Sequence, residues 1–195
     1  DEKRRILKSG IPVKRPQELT KKYYARVEGD PVTRMQYLDI NVWMAGDILL
    51  KADRMSMANS LELRVPFLDR KVFDVAARIP KKLKVNRENT KYAMRHAAAK
   101  RLPELTAQKK KLGFPVPIRV WLREDRYYNI VKKSFNSATA AKFFNTDAIT
   151  QLLDDHKNGR RDNSRKIWTV FIFLVWYDIY FNGVPHEPGD MPVVE

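Results

Sequence analysis

The sequence contains no cysteine. That excludes a disulfide scaffold, a zinc-thiolate site and a thiol nucleophile within these residues. Histidine is scarce: His96, His156 and His186 lie too far apart in the chain to offer a short-range metal-ligand spacing. Glycine is scarce as well, with seven in 195 residues. No Walker loop and no GxGxxG is present, and no RNP-type sequence of an RNA-binding module. The longest strongly apolar stretch, IWTVFIFLVWY at 167–177, falls short of the ~20 residues that span a bilayer. The opening DEKRRILKSG has no Met and no apolar core of a signal peptide, and it reads as a cut inside a longer protein. These features predict a soluble, cytoplasmic chain.

What is present is enough for one globular domain. The hydrophobic fraction is 44%, which argues against wholesale disorder. Lys and Arg number 38 against 23 Asp and Glu, for a formal charge of +15. Such a balance suits a polyanionic partner: nucleic acid, a phosphate ligand or an acidic protein surface.

The chain reads as mainly α. Residues 1–30 form a basic, helical lead-in, closed by Gly29-Asp30. Pro31 suits the first turn of a new helix, where its missing N–H costs nothing. Met35, Leu38, Val42 and Ala45 then recur on one helical face. Gly46 is expected to break that helix, and Asp47 to cap a second one through about Ala58. In LELRVPFLD at 61–69 the period changes to alternation, and Pro66 holds Val65 out of the helical region. Glu62 and Arg64 then share one side of an extended segment. Leu61, Leu63, Val65 and Phe67 are expected to anchor it. Asp69 caps a further helix ended by Pro80.

Pro103 stops an Ala-rich helix at 90–102, and the Pro-rich 103–117 reads as a loop. Helices are predicted from 118, from a cap at Thr146 or Asp147 to Gly159, and from Asn163 to Phe181. The last has apolar residues all round and is expected to be largely buried. The domain plan is thus 1–30 lead-in, 31–182 helical subdomain and 183–195 Pro/Gly-rich tail.

Three constellations could carry chemistry. Glu62 with Arg64 is either an ion pair that orders a loop or part of a pocket that clamps a carboxylate or an amine. The run Lys109, Lys110, Lys111 is either a solvated patch or a phosphate contact. It enters the loop KLGFPVP, where Gly113 gives backbone freedom and Phe114 can pin the chain. Asp39, Asp47 and Asp53 do not fall on one helix face, so they give only a weak signal for a metal site, and none is assigned among them. The aromatics at 168–177 could stack on bases but have the spacing of core.

The stretch DILLKADRMSMANSLELRVPFLD at 47–69 resembles the synthetase domain of the glutamine-dependent asparagine synthetase family. TKYAMRHAAAKRLP at 90–103, KKKLGFPVP at 109–117 and RKIWTVFIFLVWY at 165–177 follow in the family's order, so the resemblance covers roughly residues 35–180. It implies the helical C-terminal part of an α/β adenine-nucleotide alpha-hydrolase-like synthetase domain, without the parallel-sheet half. It implies a ligase of asparagine biosynthesis that binds ATP and Mg, adenylates the side chain of aspartate and lets ammonia displace AMP. Glutamine is the amide donor, through an N-terminal glutaminase domain.

By the same resemblance Lys111 matches the lysine of the family's K-x-G-F loop, beside the reacting phosphate. Glu62 and Arg64 match its L-E-x-R-x-P-F segment and are taken to shape the acceptor side of the pocket. The implied partners are the glutaminase and ATP-binding halves, with ATP and aspartate as substrates, room for a homodimer, and neither nucleic acid nor membrane. The family's Ser-Gly-Gly-x-Asp-Ser loop, its Ser-Gly-Glu-Gly-Ala-Asp-Glu stretch and its glutaminase cysteine are absent from these residues. The chain alone is therefore expected to be inactive. The alternatives are another amidotransferase on this scaffold, or a basic helical module that binds nucleic acid.

Overall fold

A computed structural model describes residues 2–87, 89–110, 113 and 116–184. These residues are helical: α1 Glu2–Ile6, α2 Pro16–Tyr24, α3 Pro31–Leu38, α4 Leu49–Ala58, α5 Arg70–Arg78, α6 Lys81–Lys84, α7 Tyr92–Ala98, α8 Glu104–Ala107, α9 Ile118–Trp121, α10 Asp125–Phe135, α11 Ala138–Phe143, α12 Thr146–Lys157 and α13 Ser164–Phe181. A π-helix over Asp39–Ile48 joins α3 to α4, and a 3-10 turn occupies Pro66–Leu68. No strand forms among the described residues. One antiparallel bridge pairs Leu7 with Phe144.

The chain divides into two units, 1–13 with 113–195, and 14–112. The first has a core. Ile149, Leu152, Leu153 and His156 on α12, and Ile167, Val170, Phe171 and Leu174 on α13, repeat at i, i+3, i+4, i+7 and are buried. Leu122, Val131 and Phe135, with Ala140 and Phe144, join the apolar residues of this cluster. Each fully buried aliphatic or aromatic side chain contributes about 1.5–3 kcal/mol. Tyr128 ties α10 to α12 by donating its hydroxyl to Asp154 at 2.5 Å. The N-terminal residues are fastened to this unit by the backbone. The Lys8 N–H donates to the Phe143 carbonyl at 2.9 Å and the Asn145 N–H to the Ile6 carbonyl at 2.8 Å.

Both ring nitrogens of the buried His156 are engaged, while the buried Thr150 Oγ1 and Asn163 Oδ1 have no hydrogen-bond partner among the described residues. The Arg119 carbonyl can only accept, so His156 donates from Nε2 at 2.9 Å. The Asn163 N–H can only donate, so His156 accepts at Nδ1 at 3.3 Å. The two bonds put the ring proton on Nε2. His156 is thereby a structural residue locking α9 and the start of α13 to α12.

Two local expectations are corrected here. The cap of α12 is Asn145, whose Oδ1 accepts from the Ala148 N–H, and not Thr146 or Asp147. Nor is α13 buried all round. Its other face, with Ile172, Trp176, Ile179 and Tyr180, is exposed. Its aromatic rings pack along the helix instead, Tyr177 stacking on Phe181 at 4.9 Å.

The second unit is built differently. Asp30 caps α3 through the Val32 N–H at 2.9 Å, and Pro31 takes the first helical position as expected. Gly46 does not break the helix. The chain continues from Pro31 to Ala58 by widening to π geometry, with the Leu49 N–H reaching back to the Met44 carbonyl. A glycine costs only about 1 kcal/mol in a helix, less than a new pair of helix ends. Asp47 is no cap: its carboxylate accepts from the Trp43 indole at 3.0 Å and faces Lys51 at 3.8 Å. Asp69 does cap α5, through the Lys71 and Val72 N–H groups. Among the described residues of this unit only Ala107 is buried. Trp43, Met55, Met57, Phe67 and Val75 stand exposed. A cleft of about 380 Å³ opens between Ile40, Met44 and Phe73. The helices are in place, but among the described residues the apolar surface they present is left exposed.

Candidate functional site

The site begins where α4 stops. The Leu61 N–H bonds the Ser56 carbonyl at 2.9 Å and the Ser60 N–H bonds the Met57 carbonyl at 3.0 Å. This paired closure of a helix end needs a left-handed residue at its turn. Ser60 supplies it, at φ 55°, where glycine is the usual choice. The turn throws the chain out of the helix axis into residues 61–65, which make no helix. Pro66 then opens the 3-10 turn.

On this segment Glu62 and Arg64 share a side, as the alternation predicts. Arg64 Nη2 lies 2.5 Å from Glu62 Oε1. The Arg64 side chain is 82% exposed and that of Glu62 70% exposed. The apolar residues between them do not anchor the segment within this chain: Leu61 is 60% and Phe67 68% exposed. Both sides of the segment therefore face outward. The pair offers a carboxylate and a guanidinium side by side, both largely solvated and open to a third group. Arg64 has further N–H donors for a carboxylate, and Glu62 a second oxygen for a cation or an amine.

Lys111, Leu112, Phe114 and Pro115 lie outside the described residues, so Lys111 and the Phe114 anchor have no described geometry. Gly113 is described. Its neighbours on both sides are not, and the loop geometry expected there lies outside the described residues. Lys109 and Lys110 are exposed.

Among the described residues no group of three histidines or carboxylates gathers to hold a metal. Asp39 lies at the start of the π-helix, Asp47 is engaged by Trp43 and Lys51, and Asp53 belongs to α4. The residue that sequence reasoning missed is Ser60. Its signal was the helix-ending A-N-S before the alternating L-E-L-R, but a serine does not announce a left-handed turn as glycine does.

The exposed carboxylate–guanidinium pair lies on an extended link between helices, ahead of a lysine-rich stretch. The chain belongs to the asparagine synthase family, whose profile matches residues 3–178. It is 49% identical to glutamine-hydrolyzing asparagine synthetase 1 of Bacillus subtilis (strain 168), over 97% of this chain and 30% of that protein. It is 46% identical to a putative glutamine-hydrolyzing asparagine synthetase of Mycobacterium tuberculosis (strain H37Rv), over 84% of this chain and 25% of that protein. A second Bacillus subtilis relative, glutamine-hydrolyzing asparagine synthetase 3, is 35% identical over 42% of this chain and 14% of its own length. The chain thus spans less than a third of the curated relatives it matches. No solved structure matches it.

Proposed function

We propose that this chain acts as the helical part of an ATP-dependent ligase that makes asparagine from aspartate, with glutamine as the amide donor. Family membership over residues 3–178 supports the reaction class. The observation that carries the helical-part reading is the state of the second unit: ordered helices with a single buried residue, Ala107, among those described. A unit of this size normally buries most of its apolar side chains. The outward Trp43, Met55, Met57 and Phe67 supply the face against which a nucleotide-binding half packs.

In the reaction a side-chain oxygen of aspartate attacks the α-phosphorus of ATP, and the bond to pyrophosphate breaks. Ammonia then attacks the acyl carbon, and AMP leaves with the acyl C–O bond. Lys111 is assigned to the first step, where a fixed ammonium stabilises charge growing on the departing pyrophosphate. Arg64 is assigned to hold a carboxylate of the acceptor. Glu62 keeps the guanidinium aimed and presents its free oxygen to the acceptor's ammonium or to incoming ammonia. Magnesium, which the family resemblance implies, finds no cluster of three carboxylate or histidine ligands among the described residues, and no step is routed through it. The enzyme is cytoplasmic in this reading. No helix among the described residues is long and apolar enough to cross a membrane.

The test is a chimaera in which this chain replaces the matching 30% of the Bacillus subtilis relative. Glutamine- and ATP-dependent asparagine formation is the expected result. A folded chimaera that binds ATP yet forms no asparagine, while the parent does, would refute the assignment.

A further inference from the structure

A second site candidate lies in the first unit, away from Glu62 and Arg64 in sequence and built on the best-packed helices. It is a cleft of about 510 Å³ between the start of α9 and the first turns of α13. Its walls include Val116, Ile118, Arg119, Asp162, Arg165 and Trp168. We propose that this cleft binds a nucleoside monophosphate.

The anion-binding element is the pair of arginines. Among the described residues neither the Arg119 nor the Arg165 guanidinium makes a hydrogen bond or a salt bridge, and both side chains are exposed, with Arg119 near enough to Asp162 to lower its carboxyl. Two planar forks on one cleft suit a phosphate dianion, whose charge and three terminal oxygens can take donors from both. Arg119 is fixed at its backbone, because its carbonyl is held by the buried His156 at 2.9 Å. Arg165 is fixed by its place in the first turn of α13.

Asp162 decides against a longer polyanion. Its Oδ1 accepts from the Ser164 hydroxyl at 2.7 Å and the Ser164 N–H at 3.1 Å. The Ser164 hydroxyl, then its N–H, and then the nearby Arg119 guanidinium hold this carboxyl below its ordinary range, so it stays charged. A nucleic-acid backbone or a polyphosphate running through the cleft would meet that charge. A ligand with one phosphate and hydrogen-bond donors elsewhere would not, since a ribose hydroxyl or a base amino group can donate to the free Asp162 oxygen.

The remaining wall is apolar. Trp168 is half-buried and offers an indole, with Val116 and Ile118 lining the same space. A flat base on an indole gains about 1–3 kcal/mol and is accepted whatever its edge carries. The cleft volume also lies in the range of small-molecule sites, roughly 300–1,000 Å³. The inference rests on this cleft and not on the amide-forming reading.

The experiment is an NMR titration of the full chain with AMP, GMP, adenosine and inorganic phosphate. AMP and GMP should shift the amides of 116, 118, 119 and 162–169 with similar affinity, since stacking reads the face of a base. Adenosine and phosphate should each bind at least about tenfold more weakly, having lost one of the two recognition elements. Arg119→Gln and Arg165→Gln should each weaken AMP about tenfold, as loss of a charged hydrogen-bond partner does. Trp168→Ala should weaken it comparably, while Trp168→Phe, which keeps a ring and guards against misfolding, should retain most of the affinity. Phosphate binding as tightly as AMP, AMP binding unchanged in both arginine variants, or no shift at these amides at millimolar nucleotide would overturn the proposal. AMP binding with GMP excluded would place the nucleotide in an adenine-reading site elsewhere and would overturn it too. None of these outcomes bears on whether the chimaera makes asparagine.

Discussion

Arg64 and Glu62 meet at 2.5 Å across one turn of extended chain, yet both side chains remain mostly in water. An ion pair so exposed gains little Coulomb energy and is screened by salt. The proposed role of the pair therefore rests on the groups it presents and not on stability.

Glu62→Gln and Arg64→Gln should therefore change the stability of this chain by less than about 0.5 kcal/mol in denaturant titrations. In the chimaera the same substitutions should lower aspartate-dependent turnover by roughly tenfold or more, because each removes a charged hydrogen-bond partner. Arg64→Lys should restore only part of it, since an ammonium cannot form a two-point fork. Loss of stability without loss of turnover would reduce the pair to a loop tie.

The two units should respond differently to truncation of apolar side chains. Ile149→Ala and Leu174→Ala remove fully buried groups and should each cost about 2–5 kcal/mol. Phe67→Ala and Met57→Ala remove exposed ones and should cost under about 0.5 kcal/mol. The uncovered face should also bind an apolar dye and drive self-association of the isolated chain in sedimentation. The two exposed-residue variants should lessen both effects. A monomer at high concentration with no dye binding would contradict the open-face reading.

How much of this was legible in the sequence follows from what each signal depends on. Local signals held where they were sufficient: Pro31 opens a helix, Asp69 caps one, Pro66 forces Val65 out of helix, and Glu62 and Arg64 share a side. They failed where a competing contact decided. Gly46 was overruled by a π-helix whose continuity outweighs one glycine, and Asp47 was taken by Trp43 and Lys51 before it could cap anything. Burial was the least legible property. The pattern of Leu61, Leu63, Val65 and Phe67 reads as anchored because periodicity says which residues share a face, not whether anything covers it. The all-round apolar α13 was misjudged for the same reason. The chemistry of the lysine loop came from resemblance, since a lysine run by itself has the composition of a solvated patch.

Acid should find specific weak points. The Asp162 carboxyl is held low first by the Ser164 hydroxyl, and that of Asp30 first by the Thr33 hydroxyl. A carboxyl depressed in the folded state contributes stability above its ordinary value, here 3.8 for both, and loses it as pH falls through the folded value. Stability from these two carboxylates should be level near neutrality and fall below about pH 4. Ser164→Ala should raise the Asp162 titration toward 3.8 in a carboxyl NMR titration and flatten that part of the acid loss. An unmoved Asp162 titration in Ser164→Ala would show that the hydroxyl is not its cause.

The central claim, that these residues serve an adenylating ligase, turns on Lys111. An ammonium that meets charge only as pyrophosphate departs lowers the barrier more than it tightens ATP binding. The decisive measurement is single-turnover adenylation of aspartate in the chimaera carrying Lys109→Ala, Lys110→Ala or Lys111→Ala. Lys111→Ala should slow the step about 100-fold or more, in line with loss of a pre-organised charge donor, with ATP affinity little changed. Lys109→Ala and Lys110→Ala should stay near the parent rate. Equal, small effects at all three positions would mean that the run is a solvated patch and that the assignment of Lys111 is wrong.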